Sequence, residues 1–514
     1  MFPSFPIPEP VTVWNRFFEL IQVPRPSKAE HAAIDFIDTW SKAFGFESRR
    51  DATGNLVVHV PATDSQSKAP IVILQCHVDI VSVTAEGDAH GADASRGMIP
   101  TVRGDLNPAD EKRLLPNASG DWINAPFTTL GADNGIGVAM MMALGESKHR
   151  SVPLQLLFTI DEEAGMTGAF GLDPIALGLT GKTLINIDTE DDDEITIGAA
   201  GGRDVEIHWL GQSGRIETGS LYSITIKGLK GGHSGIEINQ GRANAIRTLA
   251  RTLRKLSEST DLRLVNLKGG SRRNAIPDFC TAALVIDSVH LAAAQSIIQT
   301  CSEQWNQLYA GRDNPIAIEL KSNSELIPAS CLSVLSTRSL IQLLTGLPTG
   351  ICEMTSDIPT LVESSCNLAI VEMATMGQAK VICSVRGTTG YAADDICDTI
   401  RSLVGLSGGT VEIADGYPGW KPRLDSPLLK IAIDQYKELF GTTPKVHAVH
   451  AGLECGLLIE KLPGLDTISI GPTIKGNHAV GERVQISSVQ KSYKYLNAIL
   501  EHNPCDVTSK TRGF

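Results

Sequence analysis

Leu154-Gln155-Leu156-Leu157-Phe158-Thr159-Ile160-Asp161-Glu162-Glu163-Ala164-Gly165 decides the architecture of this chain. The first seven residues read as an apolar strand, and the strand stops on adjacent acids. One acid of such a pair can hold a cation while its neighbour moves a proton. A solvated acidic turn is the plain alternative, since Asp and Glu pairs are common on surfaces. Against it stands the position directly after an apolar run, followed by Ala-Gly-Met-Thr-Gly with no basic partner.

Working outward, the first two hundred residues alternate strand-like and helix-like segments. Residues 11–21 are amphipathic, 29–44 and 134–147 read as helices, and 55–60, 71–75 and 183–187 read as strands. Strands spaced by helices predict an α/β layer with a largely parallel sheet. Ligands in such sheets collect beyond the carboxyl ends of the strands, where His77, Asp161 to Glu163 and Asp188 fall. Gly198-Ala199-Ala200-Gly201-Gly202 reads as a hinge. Two comparable sets of strands and helices follow, and the first pattern resumes after Tyr417-Pro418-Gly419-Trp420. The expected division is one domain formed by residues 1–203 and 407–514, interrupted by an inserted α+β domain of doubled size over 204–406.

The 514 residues are too many for one core and point to two or three domains. Hydrophobic content of 42% and charged content of 20% are those of a soluble globular protein. A net charge of −13 disfavours a nucleic-acid backbone or an anionic membrane as partner. The N-terminus lacks a basic region followed by an apolar one, no apolar stretch is long enough to span a bilayer, and residues 138–144 come nearest. The ten cysteines contain no Cys-x-x-Cys pair, and Cys76, Cys280 and Cys383 sit in apolar runs, so free buried thiols in a reducing cytoplasm are expected. Asn117-Ala118-Ser119 matches a glycosylation sequon that is incidental without a signal.

His77 and Asp79 lie on one side of an extended segment; the imidazole can take a metal while the carboxylate orients it. A satisfied polar pair at a strand end is the ordinary reading of that spacing. Asp133, in Thr129-Leu130-Gly131-Ala132-Asp133-Asn134-Gly135-Ile136-Gly137, precedes a helix, where an Asp is most often an N-cap; the other reading is a carboxylate bridging two cations at a glycine-lined turn. Asp188 follows Leu184-Ile185-Asn186-Ile187, and the run from Glu190 to Glu194 reads as a solvated turn. His447 and His450 invite a metal pair, but the helical His-Glu-x-x-His signature is absent. His233 and His478 sit in glycine-bounded loops.

Together these blocks resemble the M20 family of co-catalytic metallopeptidases, and within it the aminoacyl-histidine dipeptidase (Xaa-His dipeptidase) branch. The resemblance rests on His77-Val78-Asp79, the Asp133 turn, Glu162-Glu163-Ala164-Gly165-Met166-Thr167-Gly168 and Asp188. Gly228-Leu229-Lys230-Gly231-Gly232-His233-Ser234-Gly235 and His450-Ala451-Gly452-Leu453-Glu454-Cys455-Gly456 extend it over nearly the whole chain. It implies a catalytic domain carrying two divalent metals, Zn²⁺ with Mn²⁺ or Co²⁺ able to substitute, and an inserted lid. By that resemblance His77 and Asp188 hold one metal, Glu163 and His478 the other, and Asp133 bridges them. Glu162 is the general base, Asp79 supports His77, and His233 from the lid stabilises the oxyanion. Arg386 grips the C-terminal carboxylate of a dipeptide and Asn274 contacts substrate. One departure stands in Gly476-Asn477-His478-Ala479-Val480-Gly481-Glu482-Arg483, where the branch usually has Ser-Pro-Asp after the histidine; it bears on loop geometry and substrate preference.

The expected function is metal-dependent hydrolysis of short peptides of the Xaa-His type. An N-acyl amino acid deacylase on the same scaffold and a catalytically silent binding protein are the alternatives, and the second predicts a lost ligand or base that the sequence does not show. A dipeptide is the expected partner, with homodimerisation through the lid left open.

Overall fold

The computed structural model describes residues 6–63, 69–85, 101–103, 120–125, 127–216, 219–323, 331–356, 358–373 and 377–502. The sequon at Asn117 lies outside these residues. The chain divides into two compact units: Met1–Gly198 with Pro422–Ala448 and Glu454–Phe514, and Ala199–Lys421 with Val449–Leu453.

The first unit is built on an eight-stranded sheet. Its strands, numbered along the chain, are β1 (Glu47–Arg50), β2 (Leu56–Val60), β3 (Val72–His77), β4 (Leu154–Thr159), β5 (Thr183–Asn186), β6 (Glu194–Ala199), β7 (Lys445–Val449) and β8 (Asp466–Ser469). They lie in the order β1-β2-β4-β3-β5-β8-β6-β7. The parallel pairing expected from strand–helix alternation holds at the centre, where β3 pairs with β4 and β5, and β5 with β8. The flanks are antiparallel, so the sheet is mixed. A local cause is visible at one edge: Asp51 Oδ1 accepts the N–H groups of Thr53, Gly54 and Asn55 at 3.0, 2.9 and 3.0 Å, closing a tight turn between β1 and β2.

β3, β4 and β5 are buried along their whole length, as strands covered on both faces must be. Beside them runs the helix Ala132–Glu146, buried from Ala132 to Gly145 and apolar around its circumference, the mark of a core helix rather than a surface one. Gly137 sets how closely it approaches. A methyl there would lie 2.2 Å from Asn134 Oδ1, 2.7 Å from Cys76 Sγ and 2.8 Å from the Ile187 carbonyl.

The second unit holds a nine-stranded sheet. Its pairings are antiparallel, and they include Val362–Met373 against Gln378–Gly387 and the latter against Gly201–Leu210. Ala379, Val381, Cys383 and Val385 point into a core shared with the helices Ala245–Ser259, Val334–Gly346 and Gly390–Ser407. Ile382, Ser384 and Arg386, out of phase by one residue, fall on the other face. Among the described residues no helix is long and apolar enough to cross a membrane. The described cysteines are all free, and all but Cys352 are buried.

Candidate metal centre

The parallel strands end on one edge of the first sheet, and that edge gathers the ionisable side chains. His77 is the last residue of β3, Glu162 and Glu163 sit in the turn after β4, Asp188 is two residues past β5, and His478 is in the loop after β8. Asp133 enters from the start of the core helix. His77 Nε2 lies 3.2 Å from Asp133 Oδ1 and 3.4 Å from Asp188 Oδ1. His478 Nε2 lies 2.8 Å from Glu163 Oε1 and 3.2 Å from Asp133 Oδ2. The two oxygens of Asp133 thus face different imidazoles.

The capping reading of Asp133 does not hold. No side-chain cap bond is made at this helix start; Gly131 is left-handed at φ 70° and Asp133 has the non-helical angles φ −82° and ψ 110°. The turn therefore aims the carboxylate away from the helix amides, and Glu482 takes over those amides. Glu482 Oε2 accepts the N–H groups of Leu130 and Gly131 at 2.8 Å each, and Oε1 those of Ala132 and Asp133 at 2.7 and 3.2 Å. Burial raises the Glu482 carboxyl to about 7 against the pull of these amides. Glu482 follows directly on the altered Ala479-Val480-Gly481 segment, so that departure leaves the clamp in place. His478 itself holds φ 60°, a left-handed conformation costly for a non-glycine residue.

Two further buried side chains tie the loops together. Asp79 accepts the N–H groups of Glu162 (3.0 Å) and Glu163 (3.1 Å) and the Ser27 hydroxyl (2.8 Å), and its Oδ1 lies 3.3 Å from His77 Nδ1. A donor at Nδ1 leaves Nε2 free for a cation. Although burial works the other way, its bonds to His77 and the neighbouring amides hold Asp79 at about 2. Arg25, wholly buried, donates to the Val78 carbonyl at 2.7 Å and the Gly131 carbonyl at 2.6 Å, joining the His77 loop to the Asp133 loop. Sequence reasoning missed both Arg25 and Glu482. The one available signal for the first was a cation between two prolines, Pro24-Arg25-Pro26.

The electrostatics are those of a cation site. Hydrogen bonds from its Nε2 to the carboxylates of Asp133 and Glu163 push His478 up to about 11. Burial raises Glu162 well above the carboxylate range, with Asp188, Glu454 and Glu163 adding to it. Glu190 is carried to about 8 by burial and by Asp133 and Asp188, and it accepts a hydrogen bond from Asn477. The acidic run is a half-exposed turn, tied down by ion pairs. Asp191 pairs with Lys475 at 2.8 Å, Asp192 with Lys491 at 2.7 Å, and Asp193 and Glu194 with Lys445 at 3.1 and 3.4 Å. Ligand atoms of His77, Asp133 and Glu163 lie within 4.8 Å of one another. Two imidazoles and three carboxylates converging from separate loops are a donor set that fits borderline divalent metals.

His233, Arg386 and Asn274 belong to the second unit. His233 Nδ1 accepts the N–H groups of Gly235 and Ile236, both at 3.1 Å, which leaves Nε2 as the hydrogen-bearing donor. Burial and the Arg386 charge lower its pKa, disfavouring the protonated ring. The Asn274 carbonyl accepts the Ser234 N–H at 2.8 Å. Asn274 and Arg386 line one cavity of about 660 Å³. His447 and His450 make no metal pair: His447 contacts Glu194 in the first unit, and His450 Nε2 meets Ser365 Oγ at 2.7 Å in the second.

This fold and this donor cluster are those of a metallopeptidase, and the chain belongs to the M20 family, hydrolases of peptide bonds. The peptidase dimerisation domain of that family matches residues 224–313. The chain is 35% identical over 500 residues to the cytosol non-specific dipeptidase of Escherichia coli (strain K12), covering 96% of this chain and 98% of that one. It is similar in structure to an aminoacylhistidine dipeptidase from Vibrio alginolyticus, with a TM-score of 0.85, 33% identity and coverage of 98% and 99%. A tripeptidase from Staphylococcus aureus shares the fold at a TM-score of 0.52 and 16% identity, over 97% and 99% of the two chains.

Proposed function

We propose that the chain is a dinuclear metallo-dipeptidase acting on short peptides, Xaa-His dipeptides among them. The observation that carries the reading is the convergence of His77, Asp133, Glu163, Asp188 and His478, with nitrogen–oxygen separations of 2.8–3.4 Å across four loops and a helix start. His77 and Asp188 would hold one divalent ion, Glu163 and His478 the other, with Asp133 between them; Zn²⁺ fits this donor set, and Mn²⁺ or Co²⁺ could replace it. Such ions, when bound, supply Lewis acidity to a water and to the substrate carbonyl.

The chain's own groups do the rest. Glu162 takes the proton of the attacking water and returns it to the leaving amine nitrogen. Asp79 keeps the His77 ring in its tautomer and, through the amides of Glu162 and Glu163, fixes the base relative to that ring. His233 offers a neutral Nε2–H to the oxyanion, a donor oriented before the reaction begins. Arg386 takes the terminal carboxylate of the dipeptide, and Asn274, on the same cavity wall, contacts its backbone. A cytoplasmic location and a homodimer assembled through the second unit accompany this reading, on the strength of the relatives and of the matched dimerisation domain.

The test is a panel of dipeptides including β-alanyl-histidine, alongside N-acyl amino acids, assayed before and after chelation and after Zn²⁺ or Mn²⁺ is restored. Hydrolysis of the dipeptides should disappear with the metal and return with it. Hydrolysis unchanged after complete metal removal overturns the mechanism, and cleavage confined to N-acyl amino acids overturns the substrate class.

A further inference from the structure

Two turn-like segments that stand out in the sequence, around Gly201-Gly202 and around Tyr417, have no task in the reading above. They pair with each other. The Gly202 N–H donates to the Tyr417 carbonyl at 3.1 Å, and the Tyr417 N–H to the Gly202 carbonyl at 3.0 Å. On its other side Gly202 is the cross-strand partner of Arg386, and Arg386 that of Ser365. Ser365, Arg386, Gly202 and Tyr417 therefore form one row across four neighbouring chain segments.

Within this row the Tyr417 ring reaches over Gly202 towards Arg386. A methyl at position 202 would lie 2.6 Å from the Tyr417 hydroxyl oxygen, 2.7 Å from Cζ and 2.8 Å from Cε1. Gly452 makes room in the same way, its missing methyl 2.8 Å from Cε2 and 3.0 Å from Cζ. The ring is thus seated between two backbones that only glycine leaves open. So held, its hydroxyl accepts a hydrogen bond from Arg386 Nη1 at 2.9 Å.

That bond matters because Arg386 has little else. It is 7% exposed, its Nε is buried without a partner, and among the described residues no carboxylate pairs with it. Ser365, its other neighbour in the row, is engaged by His450. A guanidinium on four rotatable bonds would otherwise lose much rotamer freedom each time it met a ligand. Arg386 and Tyr417 both line the cavity of about 660 Å³. We infer that Tyr417 is the positioning residue of Arg386, holding the guanidinium at the cavity wall in the orientation that reads a substrate's terminal carboxylate.

The inference rests on the assignment of Arg386 to that carboxylate, so the experiment separates the two. Steady-state kcat and KM are measured for a dipeptide and for its C-terminal amide, with the metal-loaded enzyme and its Tyr417→Phe, Gly202→Ala and Arg386→Ala variants. Phenylalanine at 417 removes only the hydroxyl; alanine at 202 displaces the ring while leaving the Tyr417 side chain chemically unchanged. Both should raise KM for the free acid by roughly three- to tenfold, the value of one hydrogen bond, with the effect on KM rather than kcat and with the amide unaffected. If Arg386→Ala leaves the preference for acid over amide intact, the assignment of Arg386 fails. If Arg386→Ala abolishes the preference while Tyr417→Phe retains it in full, the positioning role of Tyr417 is overturned alone. Equal losses on acid and amide in Tyr417→Phe mean a general structural role and also overturn it.

Discussion

Replacing Glu482 by glutamine removes an acceptor oxygen where four main-chain N–H groups converge. Each carboxylate oxygen serves two of them, with separations of 2.7–3.2 Å. The carbonyl of a glutamine can keep one pair, but its amide then presents hydrogens to the hydrogens of the other pair. Above the carboxyl's pKa of about 7, where it is ionised, two charge-assisted bonds are lost at about 1.5–3 kcal/mol each. Part of that loss is recovered because a buried charge no longer has to be desolvated, leaving a net cost of about 3 kcal/mol. Arg25, wholly buried, loses the nearby carboxylate that offsets its own burial. The loss falls on the turn that aims Asp133.

Two measurements follow from this geometry. Hydrogen exchange of the amides of residues 130–133 should accelerate by about a hundredfold, the equivalent of 3 kcal/mol of local opening. Metal affinity, titrated on the chelated protein, should fall by about ten- to a hundredfold, as for other residues that orient ligands. Exchange within about threefold of wild type together with unchanged metal affinity would refute the idea that Glu482 holds the Asp133 turn.

Other perturbations test other parts of the molecule. Glu162→Gln should lower kcat by about 10²–10⁴ while metal stoichiometry, measured by elemental analysis, stays the same; retained activity would remove Glu162 as the base. Gly137→Ala should destabilise the first unit by about 1–3 kcal/mol, because its methyl meets the Asn134 side chain, the Cys76 sulfur and the Ile187 main chain, and the main chain cannot swing aside; denaturant unfolding checks this. His450 has its pKa lowered to about 4 by burial and by the Arg386 charge, against a main-chain hydrogen bond with Val362, while the Ser365 hydroxyl meets its Nε2. The unfolded chain takes up that proton first, so stability is lost as pH falls from about 6.5 to about 4, by up to about 3 kcal/mol. His450→Gln should flatten this part of the pH–stability curve, and an unchanged slope would show that another group is responsible.

What the sequence makes legible is the strand ends. His77, Glu162, Glu163 and Asp188 each follow an apolar run, and the carboxyl ends of parallel strands meet at one edge, so local pattern alone brings them together. Asp133 is harder, because an Asp before a helix has a commoner use as a cap; only Glu482, some 350 positions away, relieves it of that task. The antiparallel pairing at the β1–β2 edge depends on turn chemistry at Asp51 that hydrophobic periodicity does not register. The ion pairs of the acidic run from Glu190 are hidden for a similar reason: Lys445, Lys475 and Lys491, its partners, come from distant stretches.

The side chains that hold the centre together read backbone rather than side chains. Arg25 donates to two carbonyls, Glu482 accepts from four amides, and Asp79 accepts from two amides as well as from His77 and Ser27. A main-chain group is present whatever residue occupies the position, so these ties fix the path of each loop without dictating its composition. With Ala479-Val480-Gly481 in the loop, His478 still reaches both Asp133 and Glu163. The backbone ties also set where substitution is costly. Exchanges among loop residues that keep the backbone course should leave the metal ligands in register, whereas loss of any one backbone-reading side chain releases a whole loop and the ligand it carries.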